Sequence, residues 1–182
     1  MRIYGFTNES FVDGPGIRVV VFTQGCDNAC EHCHNPDSWD MHAGEEHNVK
    51  DIIKMIKKAS GSTREKVLTL EGSNKKKSKK VTGVTFSGGE PFLQADELVQ
   101  IAKAVKKLGL DITTYTGNIY EELTTRDNSN IQDLLELTDY LIDGPYIHEQ
   151  RNINLKFRGS NNQRIIDMNK TRETGSIMLY QE

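Results

Sequence analysis

All three cysteines of the chain stand close together: Cys26, Cys30 and Cys33, in Gly25-Cys26-Asp27-Asn28-Ala29-Cys30-Glu31-His32-Cys33. Three thiolates can hold three irons of a four-iron cluster and leave the fourth iron open to a substrate. Zinc is the competing reading, because a structural zinc site takes four ligands and His32 or His34 could supply the fourth. One loop would then have to wrap all four ligands, with His32 adjoining Cys33. An odd cysteine count suits metal ligation better than a disulfide framework.

A second group with chemical potential is Gly88-Gly89-Glu90, placed directly after an apolar run. Glycines let backbone groups approach a ligand closely, and a carboxylate accepts hydrogen bonds from an ammonium group. A Gly-Gly pair by itself commonly marks only a turn. Asp13-Gly14-Pro15-Gly16 by itself is a turn before a strand, and Trp39 by itself is a packing residue. Asp143 is either a turn aspartate or a cofactor contact. Arg158 could guide a partner's backbone, hold a carboxylate or form a surface ion pair. His42, His47 and His148 lack partners at metal-ligand spacing and are expected to be exposed.

The elements that must position these residues follow from periodicity. The β-branched run 17–23 predicts a buried strand that ends at the cysteine loop. Further strands are expected over 81–86, 111–115 and 140–142, with short ones at 164–166 and 177–180. Val49, Ile52, Ile53 and Ile56 fall at helical spacing, which predicts a helix over 49–59 with Asn48 as N-cap and Gly61 after its end. Leu98, Ile101, Ala102, Val105 and Leu108 predict another over 95–108. Asn118 with Glu121, and Ser129 with Gln132, suggest two more helix starts of capping-box type. The lysine-rich stretch 73–80 reads as an exposed loop.

Strands alternating with helices predict an α/β fold: a partial (β/α) barrel or an open, mostly parallel sheet with helices packed on it. Ligands of such folds gather at the C-terminal ends of the strands. The cysteine loop, Gly88-Gly89-Glu90, Thr116-Gly117 and Asp143 all fall there, so four loops are expected to surround one site.

The spacing Cys-x3-Cys-x2-Cys resembles the signature of the radical S-adenosylmethionine superfamily. Asp13-Gly14-Pro15-Gly16-Ile17-Arg18, Phe22-Thr23-Gln24-Gly25-Cys26 and Cys33-His34-Asn35-Pro36 with Trp39 look like the opening of its glycyl-radical-enzyme activases. Tyr115-Thr116-Gly117, Leu141-Ile142-Asp143-Gly144-Pro145-Tyr146 and the stretch 157–166 look like the activating proteins of anaerobic ribonucleoside-triphosphate reductase. Two departures are the lysine-rich stretch, longer than the family needs, and His32, where relatives often carry an aromatic or a small residue.

The resemblance implies one radical S-adenosylmethionine domain over 1–182, with a 4Fe-4S cluster on Cys26, Cys30 and Cys33. It implies S-adenosylmethionine at the open iron, its amino group at Gly88, Gly89 and Glu90, with His32, Cys33, His34, Thr116 and Asp143 also at the cofactor. The implied activity is reductive cleavage of S-adenosylmethionine to place a glycyl radical on the reductase, a protein substrate, with a flavodoxin-type electron donor. Alternatives are an activase of another glycyl radical enzyme such as pyruvate formate-lyase, a radical enzyme acting on a small molecule such as the one making carboxy-deazaguanine, and a non-catalytic zinc or iron-sulfur module.

Bulk properties agree with a folded domain. The chain has 182 residues, 36% hydrophobic and 27% charged, with a formal net charge of -3. That balance gives no electrostatic case for nucleic acid or an anionic membrane as partner. No apolar run reaches membrane-spanning length. The start lacks the apolar core of a signal peptide, so a cytoplasmic location is expected, where thiols stay reduced.

Overall fold

The computed structural model describes residues 1–61 and 81–181, so the lysine-rich stretch 73–80 lies outside the described residues. Among the described residues seven strands form one mixed sheet: β1 (Arg2–Ser10), β2 (Arg18–Thr23), β3 (Glu45–Glu46), β4 (Gly83–Gly88), β5 (Asp111–Tyr115), β6 (Tyr140–Asp143) and β7 (Arg164–Asp167). Their order is β3-β1-β2-β4-β5-β6-β7. The central strands β2, β4, β5 and β6 run parallel. β1 and β7 flank them antiparallel, and β3 pairs antiparallel with β1. The two ends of the sheet do not pair with each other, so it is open.

The parallel core follows from the sequence. Val19, Val20 and Val21 of β2 are fully buried, as a continuous apolar run sandwiched on both faces should be. Helices α1 (Val49–Ala59) and α2 (Ala95–Lys107) occupy the predicted ranges within a residue. They bury Ile52 and Ile56, and Leu98, Ile101, Ala102 and Val105, in one core with Val84, Phe86 and Ile112 of the sheet. Gly61 follows α1 at φ 69°, as expected of a residue that ends a helix. Asn48 is its N-cap by position, but its side chain makes no capping hydrogen bond.

Several expectations are corrected. β1 carries no sequence signal because Arg2–Ser10 has no apolar run; it is a half-exposed strand beside the short edge strand β3, interrupted by register shifts. The helix α3 (Tyr120–Thr125) has Ile119 as N-cap, so Asn118 and Glu121 form no capping box. Asn118 instead bonds the Thr116 hydroxyl, and Glu121 pairs with Arg164. The cap of α4 (Ser129–Leu137) is Asn128, whose side chain accepts from the Asn130 and Ile131 amides. Of the tail, 164–167 forms β7, whereas Leu179 makes only an isolated bridge to Ile166. Between them lies α5 (Met168–Thr174), capped by Asp167 and ended by Gly175 at φ 68°. That Asp and Gly pair was a readable start and stop signal.

The register places one buried cation at the N-terminal ends of the parallel strands. Arg18, Gly83 and Asp111 begin β2, β4 and β5 and lie side by side. The Arg18 side chain is wholly buried. It pairs with Asp111 and donates to the Pro15 carbonyl at 3.0 Å, the Val84 carbonyl at 2.7 Å and the Thr85 hydroxyl at 3.1 Å. The turn from Pro15 to Arg18 therefore packs at the end of the sheet opposite the cysteine loop. Among the described residues no helix is long and apolar enough to cross a membrane.

Candidate iron-sulfur site

The cysteine loop leaves the C-terminal end of β2 and is tied down at its start. Gly25 N–H donates to the Ser38 carbonyl at 2.7 Å and Cys26 N–H to the Trp39 carbonyl at 3.1 Å. The Gly-Gly-Glu turn after β4 is stitched to the same backbone: Gly89 N–H donates to Thr23 at 2.7 Å and Glu90 N–H to Gly25 at 2.8 Å. The approach is close enough to require glycine. A Cβ on Gly89 would stand 2.2 Å from the Gly25 carbonyl oxygen, and Gly88 takes φ 96°. The Gly-Gly pair thus serves the crossing of two loops as well as the cavity it lines.

Within the loop, Ala29 at φ 44° and His32 at φ 57° adopt left-handed backbone directly before Cys30 and Cys33. Non-glycine residues take that conformation only where surrounding structure enforces it. All three thiols are free and half-buried. They line one cavity of about 710 Å³, together with Gly88 and Gly89 after β4, Thr116 and Gly117 after β5, and Gly144 after β6. Four strand-end loops do surround one site. Two further walls were not anticipated: Phe11, Val12 and Asp13 between β1 and β2, and the segment 155–159.

The expected site residues divide into those that face the cavity and those that stand behind it. His34 and Thr116 line it; His32 does not, and its ring packs on His148 at 4.1 Å between centroids. Glu90 and Asp143 are buried and are not part of the lining. Glu90 Oε1 accepts from the Phe92 amide at 3.1 Å. Its Oε2 accepts from Asn28 Nδ2 at 3.1 Å, the Thr116 hydroxyl at 3.0 Å and the Gly117 amide at 2.9 Å. Burial pushes the Glu90 carboxyl above its ordinary range against the pull of these donors. Asp143 accepts from the Tyr120 amide at 2.8 Å and pairs with Arg164. Both carboxylates tie loops together. Of the other histidines, His42 and His148 are exposed, while His47 is half-buried beside Glu45.

Sequence reasoning missed Asn28. Its side chain lines the cavity and lies between Glu90 and the Cys26 sulfur. Burial raises the Cys26 thiol, and hydrogen bonds from Asn28 oppose that rise. Its only signal was a polar residue between two clustered cysteines.

These residues fit a 4Fe-4S cluster better than one zinc ion. Among the described residues no three His, Cys, Asp or Glu side chains are placed to share a single ion. A cluster binds each thiolate on a different iron, so its ligands stand farther apart than those of one metal. Of the candidates for a fourth zinc ligand, His32 lies outside the cavity and packs on His148, while His34 lines the cavity with its ring edge-on to Tyr146. The cluster would be held by Cys26, Cys30 and Cys33, facing a cavity with room for a second ligand.

Fold and site together define an iron-sulfur protein. Residues 12–166 match the family model described as "4Fe-4S single cluster domain". The chain belongs to this family; its cofactors are a 4Fe-4S cluster and S-adenosylmethionine. It is similar to the pyruvate formate-lyase-activating enzyme of Clostridium pasteurianum, with 35% identity over 142 residues covering 76% of this chain and 54% of that one. It is also similar to the pyruvate formate-lyase 1-activating enzyme of Escherichia coli K12, with 34% identity over 180 residues covering 98% of this chain and 65% of that one. The chain thus spans 54% and 65% of the length of these two relatives. Among solved structures, QueE from Escherichia coli superposes with TM-score 0.45 and 14% identity, covering 81% of this chain and 60% of that one.

Proposed function

We propose that this chain is a glycyl-radical-enzyme activase whose protein substrate is an enzyme of pyruvate formate-lyase type. The observation that carries the reading is the meeting of three free thiols with Gly88, Gly89 and Thr116 on one cavity of about 710 Å³. The family supplies the cofactors, and the relatives' names favour pyruvate formate-lyase over the reductase expected from the second half of the sequence. When bound, the cluster and S-adenosylmethionine supply one-electron chemistry that ends with a hydrogen atom leaving a glycine Cα of the partner.

The chain's own residues hold and shield. Cys26, Cys30 and Cys33 ligate the cluster. Gly88 and Gly89 let backbone close on the methionine end of S-adenosylmethionine, with Thr116 and His34 on neighbouring walls. Glu90 and Asp143 act from behind, fixing the loops that carry those walls. The segment 155–159 forms one further wall of the cavity. We read 1–182 as one radical S-adenosylmethionine domain, working in a reducing cytoplasmic setting with a flavodoxin-type donor.

Activation of anaerobic ribonucleoside-triphosphate reductase is a second reading, favoured by the likeness of Tyr115-Thr116-Gly117, Asp143-Gly144-Pro145 and the stretch 157–166 to its activating proteins. Electron paramagnetic resonance decides between them. The reconstituted, reduced protein is mixed with S-adenosylmethionine and either enzyme. A glycyl doublet on pyruvate formate-lyase supports the proposal, a doublet on the reductase alone transfers the function there, and none on either rejects both.

A further inference from the structure

We infer that Asn28 tunes the reduction potential of the cluster through a hydrogen bond to the Cys26 sulfur, and that Glu90 and Gly117 hold it in place to do so. The inference rests on the cluster ligation proposed above. It needs no assumption about the partner enzyme.

Asn28 Nδ2 stands 3.1 Å from Glu90 Oε2 and 3.7 Å from Cys26 Sγ, within hydrogen-bond reach of a large sulfur acceptor. An amide nitrogen carries two hydrogens, and this geometry uses one on each neighbour. The orientation is determined. Glu90 Oε2 accepts from the Gly117 amide, which can only donate, and so faces Asn28 as an acceptor. The amide must turn its NH2 toward that oxygen, which also aims a hydrogen at the sulfur. The flipped amide would set two acceptors against each other.

Gly117 supplies the room. A Cβ there would lie 2.5 Å from Asn28 Nδ2 and 2.7 Å from its Cγ. The amide is therefore clamped between a carboxylate that fixes its rotation and a glycine that admits it. Cys33 receives its own donor, the Asn35 amide at 3.4 Å, but that is backbone and cannot be removed by substitution. Asn28 is the side-chain donor to a cluster ligand.

Hydrogen bonds to cluster sulfurs are a main determinant of iron-sulfur potentials. Reduction adds one electron and no proton to the cluster, so negative charge on the sulfurs rises. A donor at Cys26 stabilises the reduced form more than the oxidised one. Losing it makes reduction harder and the midpoint more negative.

The test is a potentiometric titration with dithionite in the absence of S-adenosylmethionine, read by the reduced-cluster resonance. Asn28→Leu, similar in size but without a donor, is expected to shift the one-electron equilibrium about tenfold toward the oxidised form, or roughly 60 mV more negative. Gly117→Ala removes no donor but displaces the amide, and is expected to shift the midpoint in the same direction. An unchanged or more positive midpoint in a loaded Asn28→Leu protein overturns the inference. If that variant holds no iron, Gly117→Ala decides by the same criterion, and loss of the cluster from both would make Asn28 a structural residue and overturn the tuning role. Wild-type protein that takes up no iron would reject the cluster reading itself, a result distinct from loaded variants that do not shift.

Discussion

The Tyr115 hydroxyl donates a hydrogen bond of 2.6 Å to the carbonyl of Phe157, a residue held at φ 61° in left-handed backbone. Tyr115 ends β5, while Phe157 lies in the segment 155–159 that lines the cavity, so the bond fastens that wall to the sheet. Tyr115→Phe should loosen the 155–159 amides. Their hydrogen exchange is expected to quicken roughly fivefold, equivalent to about 1 kcal/mol for one neutral hydrogen bond.

The same tyrosine carries a pH dependence. Burial pushes its hydroxyl well above the usual tyrosine range, helped by the negative charge of Asp13. A folded-state pKa above the unfolded one means the folded chain keeps its proton longer. The contribution is complete below about 10, where an unfolded tyrosine ionises, and declines as pH rises beyond it. The stability difference between wild type and Tyr115→Phe should therefore shrink above pH 10, measured by urea unfolding.

Glu121 predicts the opposite slope. Its carboxylate takes two hydrogen bonds from Arg164, at 3.0 and 2.7 Å, which lower its pKa to about 2. Stability from this pair is present above the ordinary glutamate value of about 4.3 and lost as pH falls toward 2. Because the Glu121 side chain is 51% exposed, solvent screening limits the effect to about 0.5 kcal/mol. Glu121→Gln should show that deficit at pH 6, and none near pH 2 or in molar salt.

Gly89→Ala tests the loop crossing. The added methyl meets backbone, which cannot rotate away, so overpacking of about 2–3 kcal/mol is expected together with reduced iron uptake. Gly5→Ala is the control. Its Cβ would only touch the Phe22 ring at an ordinary 3.8 Å, and thermal stability and iron content should stay near wild type.

Arg18→Lys should be the most damaging of the conservative changes. A lysine cannot reproduce the fork that reaches Pro15, Val84, Thr85 and Asp111 together, and it leaves buried acceptors unmatched. A loss of about 3 kcal/mol in denaturant unfolding is expected. Asp111→Asn should cost less, because that side chain is 35% exposed and water can replace part of the pairing.

The parallel strands and the two long helices were legible because each carries its burial pattern locally. Val19–Val21 could only be a buried strand, and Ile52 and Ile56 could only face a core. β1 was not legible, because a half-exposed strand near the sheet edge has no comparable pattern. The cap of α4 shifted by one residue, since Asn128 and Ser129 are both competent caps and packing chose between them.

What the sequence determined by itself was the candidate ligand set and its neighbourhood: three spaced thiols and a Gly-Gly turn, each following a strand of a parallel sheet. Those are local facts of residue type and order. Only the tertiary structure decided what Glu90 and Asp143 do. At strand ends both looked like ligand contacts, yet folding buries them and surrounds them with donors from other loops. A buried carboxylate must find such partners, and which loops supply them depends on how the sheet is ordered, not on neighbours along the chain. The same ordering brought Asn28 to the Cys26 sulfur, between a carboxylate 62 residues away and a glycine that leaves it room.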